Sequence, residues 1–510
     1  MKRQSGKKLL AAMALFTMAW LLLPGCVSMG ALRKSESEYY QGRFSEAAAV
    51  FGDGSELEAD SGAVLPNLYR GSACFMAGDF AGSFAAFACS EAGMQEQDAA
   101  LNWGKAYIGR TYDGIMANTY QALDLLAMGR YDDARVAFNR LEMSQGKAAQ
   151  RNLRAIEKKK RAAEEQSSES DASGYVGAVT SNPDNERQLR EFTHLADMYG
   201  AYADYENPAS RLVSGLYRLL YGEDRDDAEK AVFQMRKAYG MTQATEVANA
   251  LAIAEAAAEG RTKDGRRFTR ASLSDFVFVV FENGLGVTKE EKRIELVIPY
   301  RGSVLYAGIA LPMLVERQAA YPCLSLFDQN TFLKNTAPFC SLDRIAATEF
   351  RKELPGIIAA EVTEAVIKVV LQAAAIETAR KNAGDGMALL TGIVGSVAAA
   401  ATTSADVRNW NFLPKEYQFC VVSRPRSGVL TIAVPPSNAR LVDLPMPQSG
   451  PAFVFVKIPF AGARPVCMVF EGYDMRSVSK AEVGAAKISA FDLNNSNRLI
   501  DSGKKEKMKE

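Results

Sequence analysis

The chain has 510 residues, with 60 Lys+Arg against 60 Asp+Glu and a single histidine. That length exceeds what one hydrophobic core organises, so two to four domains are expected. The even charge balance argues against the basic footprint of a nucleic-acid-binding domain, and no HExxH, P-loop, dinucleotide fingerprint or CxxC pair is present.

The first 25 residues read as an export signal. Lys2, Arg3, Lys7 and Lys8 form a basic start, and Leu9–Leu23 is an uncharged run of 15 residues. It is short for a membrane span and has the order of a secretory leader. Leu23-Pro24-Gly25-Cys26 closes it and resembles the lipobox of bacterial lipoproteins. The resemblance implies that Cys26 becomes the lipidated first residue, facing the periplasm. Val27 rather than Asp after it implies outer-membrane sorting. Without the leader, 56 basic residues face 60 acidic ones.

Residues 26–165 carry a recurring pattern: a helix-compatible run, a glycine, a polar residue, an aromatic, and a small residue three positions on. It appears at Gly42-Arg43-Phe44 with Ala47 and Phe51, at Gly78-Asp79-Phe80 with Ser83 and Phe87, and at Gly129-Arg130-Tyr131 with Ala134 and Phe138. Glycine ends one helix, the aromatic plugs the turn, and the small residue lets the second helix approach. The pattern resembles the tetratricopeptide (TPR) hairpin, whose period is about 34 residues. The first two copies lie 36 residues apart. Cys74 and Cys89 fall on paired helices with an axial offset, which favours free thiols.

The basic run Lys158–Arg161 reads as a solvated helix. Residues 166–187, rich in Ser, Gly, Asp and Asn, read as a polar linker or mobile loop. A further hairpin region spans 188–262, with a degenerate fourth copy at Leu212–Tyr239. The lone His194 lies here, on a helix-like stretch, without a GxSxG elbow to make it catalytic.

From about Asp275 the period changes. Phe276–Phe281, Ile294–Tyr300, Val304–Leu311, Tyr417–Val422, Val429–Val434, Phe453–Ile458 and Val466–Phe470 read as strands of an antiparallel sandwich or related β-domain, spanning 265–344 and 415–475. A helical insertion, 345–404, splits it. Within it, Ile358, Val362, Val366 and Val369 recur at helical spacing. Gly386–Thr403 is uncharged and reads as a helix buried against that neighbour, or alternatively as a hairpin entering a membrane or partner. Residues 476–510 form a polar, charged tail. Cys323–Cys340 and Cys420–Cys467 remain open as disulfides.

Phe281-Glu282-Asn283-Gly284 with Lys289, and Ala405–Trp410 followed by Leu413-Pro414, join Tyr120–Phe138 and Asn207–Tyr217 in a wider likeness. Together they resemble an uncharacterised family of bacterial TPR-like envelope lipoproteins. The resemblance implies an α+β chain, helical repeats followed by a β-rich domain, without an assigned catalytic activity. From the residues themselves, Asn283-Gly284 suits a tight turn between strands. Asp406 and Arg408 suit an ion pair beneath Trp410, and these five residues form a candidate ligand or interface cluster.

The function expected is a lipid-anchored scaffold or adaptor that binds an envelope protein through its repeats, with no cofactor, metal or nucleic acid. One alternative is a carbohydrate-active enzyme using paired carboxylates. The other is contact of the β-domain or the hairpin with a membrane or the cell-wall machinery.

Overall fold

The computed structural model describes residues 29–52, 54, 63–100, 107, 109–168, 173–192, 202, 206–383 and 404–472. Cys26, His194, Gly386–Thr403 and the 476–510 tail lie outside them. The protein is α+β, with helices first and a β-rich region after. It divides into two compact units, 1–110 and 111–510. The boundary between the units falls between the second and third hairpins.

In the first unit, α1 (Met29–Tyr40) pairs with α2 (Phe44–Ala49), and α3 (Val64–Ala77) with α4 (Phe80–Ala100). The glycine turns share one hydrogen-bond pattern. Gly78 N–H donates to Phe75 O and Asp79 N–H to Cys74 O, and Gly42 and Arg43 repeat this on Tyr39 and Glu38. This is the Schellman closure, and it requires the positive φ found at both glycines, +75° and +82°. The aromatics plug the turns, with the Tyr39 and Phe44 rings 4.9 Å apart and those of Phe75 and Phe80 5.7 Å.

The second unit opens with α5 (Thr111–Ala127) and α6 (Tyr131–Ser168), joined by the same closure at Gly129 and Arg130. α6 runs 38 residues and absorbs the basic run. The expected linker instead carries two short helices, α7 (Ser173–Thr180) and α8 (Pro183–Arg190). Asn182 caps α8, accepting from the N–H groups of Asp184 and Asn185, and Pro183 fits the first helical turn. Composition misled here because Ser, Asn and Asp serve caps as well as coils.

The fourth hairpin is α9 (Pro208–Tyr221) and α10 (Arg225–Thr242), followed by α11 (Thr245–Glu259). α9 is buried at all 14 positions. Gly215 permits the approach of α10, since a Cβ there would lie 2.8 Å from Met235 Cγ. Its two arginines are neutralised internally: Arg211 by Glu206 at 2.9 Å, Arg218 by Asp227 at 3.0 Å. Phe138 stacks on Tyr217 at 4.4 Å, tying the third hairpin to the fourth.

A five-stranded sheet has the order β11-β10-β1-β7-β6, from Val466–Glu471, Ala452–Ile458, Phe276–Asn283, Glu416–Ser423 and Ala337–Ser341. A four-stranded sheet has the order β5-β4-β8-β9, from Thr331–Asn335, Ser325–Asp328, Val429–Val434 and Ala439–Pro445. The two enclose an aliphatic core of Val277, Val279, Leu326, Ile432, Val454 and Val456. The larger sheet is mixed rather than antiparallel, because β1 and β10 run parallel. The long path between them allows this, since parallel neighbours need a crossover.

β2 (Thr288–Tyr300) and β3 (Ser303–Val315) form a separate two-stranded ribbon along α12 (Leu342–Ala383), the described part of the helical insertion. No described helix is long and apolar enough to cross a membrane. Cys74, Cys89, Cys323, Cys340, Cys420 and Cys467 are free thiols. Cys420 lies on β7 and Cys467 on β11, with β1 and β10 between, so three strand spacings put them more than about 14 Å apart. That is beyond disulfide reach.

Candidate functional site

The five-stranded sheet turns its second face to α5, α9 and α11. Strict alternation puts Phe453, Phe455 and Lys457 of β10 on this face, with Phe278, Val280 and Glu282 of β1 beside them. Glu282 registers with Lys457 on one side and Tyr417 on the other. The sequence places one acid and one base at the ends of two apolar rows, and the sheet makes them neighbours.

Tyr120 of α5 completes the cluster. Lys457 Nζ lies 2.6 Å from Glu282 Oε2 and donates to the Tyr120 hydroxyl at 2.5 Å. Tyr120 donates to Glu282 Oε2 at 2.9 Å, and the Tyr417 hydroxyl donates to Glu282 Oε1. All four side chains are buried. Burial pushes the Lys457 ammonium below its ordinary value, and the Glu282 carboxylate beside it opposes that. Burial, then the Glu282 charge, drives the Tyr417 phenol well above its ordinary value. The arrangement suits a clasp: every charge has a partner, and no group is presented to water.

Of the sequence-predicted residues, Trp410 meets this clasp and Asn283 follows Glu282 on β1. Trp410 is buried, its ring edge-on to Tyr120 at 6.1 Å. Asn283 is buried and clamps the backbone of Tyr321, donating to its O at 2.7 Å and accepting from its N–H at 3.1 Å. Gly284 does not form the expected tight turn between paired strands, since β1 and β2 belong to different sheets. Its φ of +71° marks where β1 leaves the sheet, and a Cβ would lie 2.9 Å from Ala319 Cα. Its N–H still donates to Ile458 O.

Asp406 and Arg408 form the expected pair, Arg408 Nε at 2.8 Å and Nη2 at 2.9 Å from the carboxylate oxygens. Burial alone would raise the Asp406 carboxyl, but the Arg408 guanidinium outweighs it and holds the pKa below the ordinary value. The pair opens a strap, 404–415, that runs over the exit of β1. Asn409 donates to Val287 O at 3.2 Å and Arg317 to Asn411 O at 2.7 Å. Further along, Lys415 bridges Asp343 and Glu316, each at 2.7 Å. Asn283 and Trp410 are buried, and the Asp406–Arg408 end reaches the surface.

Glu282, Lys457 and Tyr417 were not among the predicted site residues. Their signal was a charge closing an apolar alternating run. No group of three or more His, Cys, Asp and Glu side chains among the described residues is placed to hold a metal. Burial raises the thiols of Cys340, Cys420 and Cys467 to about 12, which keeps them protonated. No protein family, characterised protein or solved structure matches this chain.

Proposed function

We propose that the chain is a lipid-anchored envelope scaffold, held by lipid on Cys26 and binding a protein partner through its helical hairpins without catalysis. The supporting observation is a set of exposed apolar side chains on the helices of the third and fourth hairpins. Val136 and Met143, two turns apart on α6, are 56% and 59% exposed, and Phe233 on α10 is 52% exposed. The two helices are tied by the Arg135–Asp227 pair at 2.9 Å. Apolar side chains fixed on rigid helices give binding area at low entropic cost. The inner face of the fourth hairpin is closed, because α9 is wholly buried. Recognition therefore belongs to the outer helices.

Affinity purification of the tagged full chain from its native envelope tests this against the triple variant Val136→Lys, Met143→Lys, Phe233→Lys. A partner lost about tenfold by the variant, at unchanged thermal stability, supports the reading; equal recovery overturns it. The anchor is tested separately. Cys26→Ala is expected to leave the membrane fraction, because lipid chains supply the affinity. Retention of that variant in mature form sinks the lipoprotein assignment.

A further inference from the structure

The two outer edges of the β2–β3 ribbon are treated differently. On β2, Asn185 of α8 closes the edge: its Nδ2 donates to Val297 O at 2.9 Å, and Val297 N–H donates to its Oδ1 at 3.0 Å. Gln188 Nε2 donates to Glu295 O at 3.3 Å. The strand also carries Glu290, Glu291, Lys292, Arg293 and Glu295, charged guards of the kind that keep strands from pairing further.

The same bonds fix which groups of β3 point outward. Val297 and Glu295 turn their N–H and C=O away from β3, so their register partners Tyr306 and Gly308 turn theirs away from β2. Alternation adds Val304. Among the described residues, nothing besides β2 bonds to the backbone of β3. Val304 and Tyr306 are 52% and 60% exposed, and Gly308 is exposed as well. Ser303–Val315 contains no charged side chain, and Pro312 is its only guard. An open, uncharged, regular edge is what an added strand requires.

α12 packs against β3, while α7 touches both α12 and β2 from the other side. Arg301 at the ribbon turn donates to Glu377 of α12 at 3.2 Å. Counting back from that contact, Leu371 lies about 9 Å down the helix. Val304, level with Pro299 across the ribbon, lies about 7 Å down the strand from the turn. Leu371 is 64% exposed.

We propose that the outer edge of β3 is a strand-acceptor site, which takes an extended, uncharged segment of a partner polypeptide as a third strand of the ribbon. An extended chain is required because a helix has no spare backbone groups along its side to meet the open N–H and C=O groups. A second copy of this protein is disfavoured. Antiparallel pairing of two β3 edges would bring two α12 helices to one strand spacing, about 4.8 Å, where helices need 8–10 Å. The site is separate from the repeat face and stands whether or not that face binds.

Amide hydrogen exchange on the full chain tests it, with an acetylated, amidated seven-residue peptide alternating threonine and valine as probe. In the free chain, the amides of Val304, Tyr306 and Gly308 are expected to exchange about tenfold or more faster than those of Leu305, Ala307 and Ile309. The peptide is expected to slow the first three about tenfold, while a matched peptide with lysine for valine is not. Gly308→Pro removes one outward N–H and no β2 bond, so it is expected to abolish the slowing with the circular dichroism unchanged. Tyr306→Lys, which guards the edge with a charge, is expected to do the same. Protection of the three amides in the free chain would mean that the chain itself covers the edge, and overturns the proposal. So does an unchanged rate with the peptide, or equal slowing by the lysine peptide or in both variants.

Discussion

The two faces of the five-stranded sheet are built by opposite means. One is aliphatic and dry, with Val277, Val279, Val454 and Val456 packed against Leu326 and Ile432 of the second sheet. The other is aromatic and ends in charge, with Phe453 against Phe470 at 5.3 Å and Lys457 locked to Glu282 and Tyr120. The aliphatic face is non-directional, so it tolerates changes of shape and suffers from lost volume. The ionic face is directional. It fixes where α5 docks, and it fails when one partner is missing.

The sharpest way to break that contrast is Lys457→Met. It strands a buried carboxylate and is expected to cost about 3–5 kcal/mol, read by denaturant unfolding. Adding Glu282→Leu is expected to restore most of the loss, because the uncompensated charge is gone. A double variant as unstable as the single one would show that the cluster acts through shape alone.

The next effect lies where the ionic side continues into the helices. Burial would raise the Asp227 carboxyl, but the Glu223 N–H with Arg135 and Arg218 outweighs it, and the pKa lies below the ordinary aspartate value. A depressed folded pKa gives stability that is present above the unfolded value and lost as pH falls through the folded one. Asp227→Asn is therefore expected to cost about 1–3 kcal/mol at neutral pH. The gap to wild type narrows as the pH falls below about 4. A gap independent of pH across that window would remove the ionic explanation.

On the aliphatic face, Ile458→Val is expected to cost only about 0.5–1.5 kcal/mol, with no pH dependence. Thermal unfolding at neutral and acid pH checks both halves of that statement. Smallest of all, Asp406→Ala opens a pair in which Asp406 is 54% exposed. It is expected to change stability by about 1 kcal/mol or less and to weaken as salt rises. A loss as large as that of Lys457→Met would move Asp406 from the surface into the clasp.

The local rules were readable in the chain. Gly42, Gly78 and Gly129 each precede an aromatic plug, and each ends its helix by the same closure, because a Schellman turn is decided within six residues. The alternation in Ala452–Ile458 likewise sorts Phe453, Phe455 and Lys457 to one face without outside help. Composition alone was weaker: the Ser- and Asn-rich stretch expected as a linker supplies the α8 cap, Asn182, and the edge-closing Asn185.

What only the tertiary structure decided is which of these local pieces meet. Glu282 and Lys457 lie 175 residues apart, and Tyr120 and Lys457 lie 337 apart. Their pairing depends on β10 entering beside β1 in parallel, a choice that no local pattern encodes. Asn283-Gly284 shows the same limit, since its turn-like chemistry serves a strand exit once β1 and β2 fall in different sheets. Helix ends and strand faces are set by backbone geometry over a few residues. Sheet order and buried pairing are set by global burial, which the sequence encodes only through the whole fold.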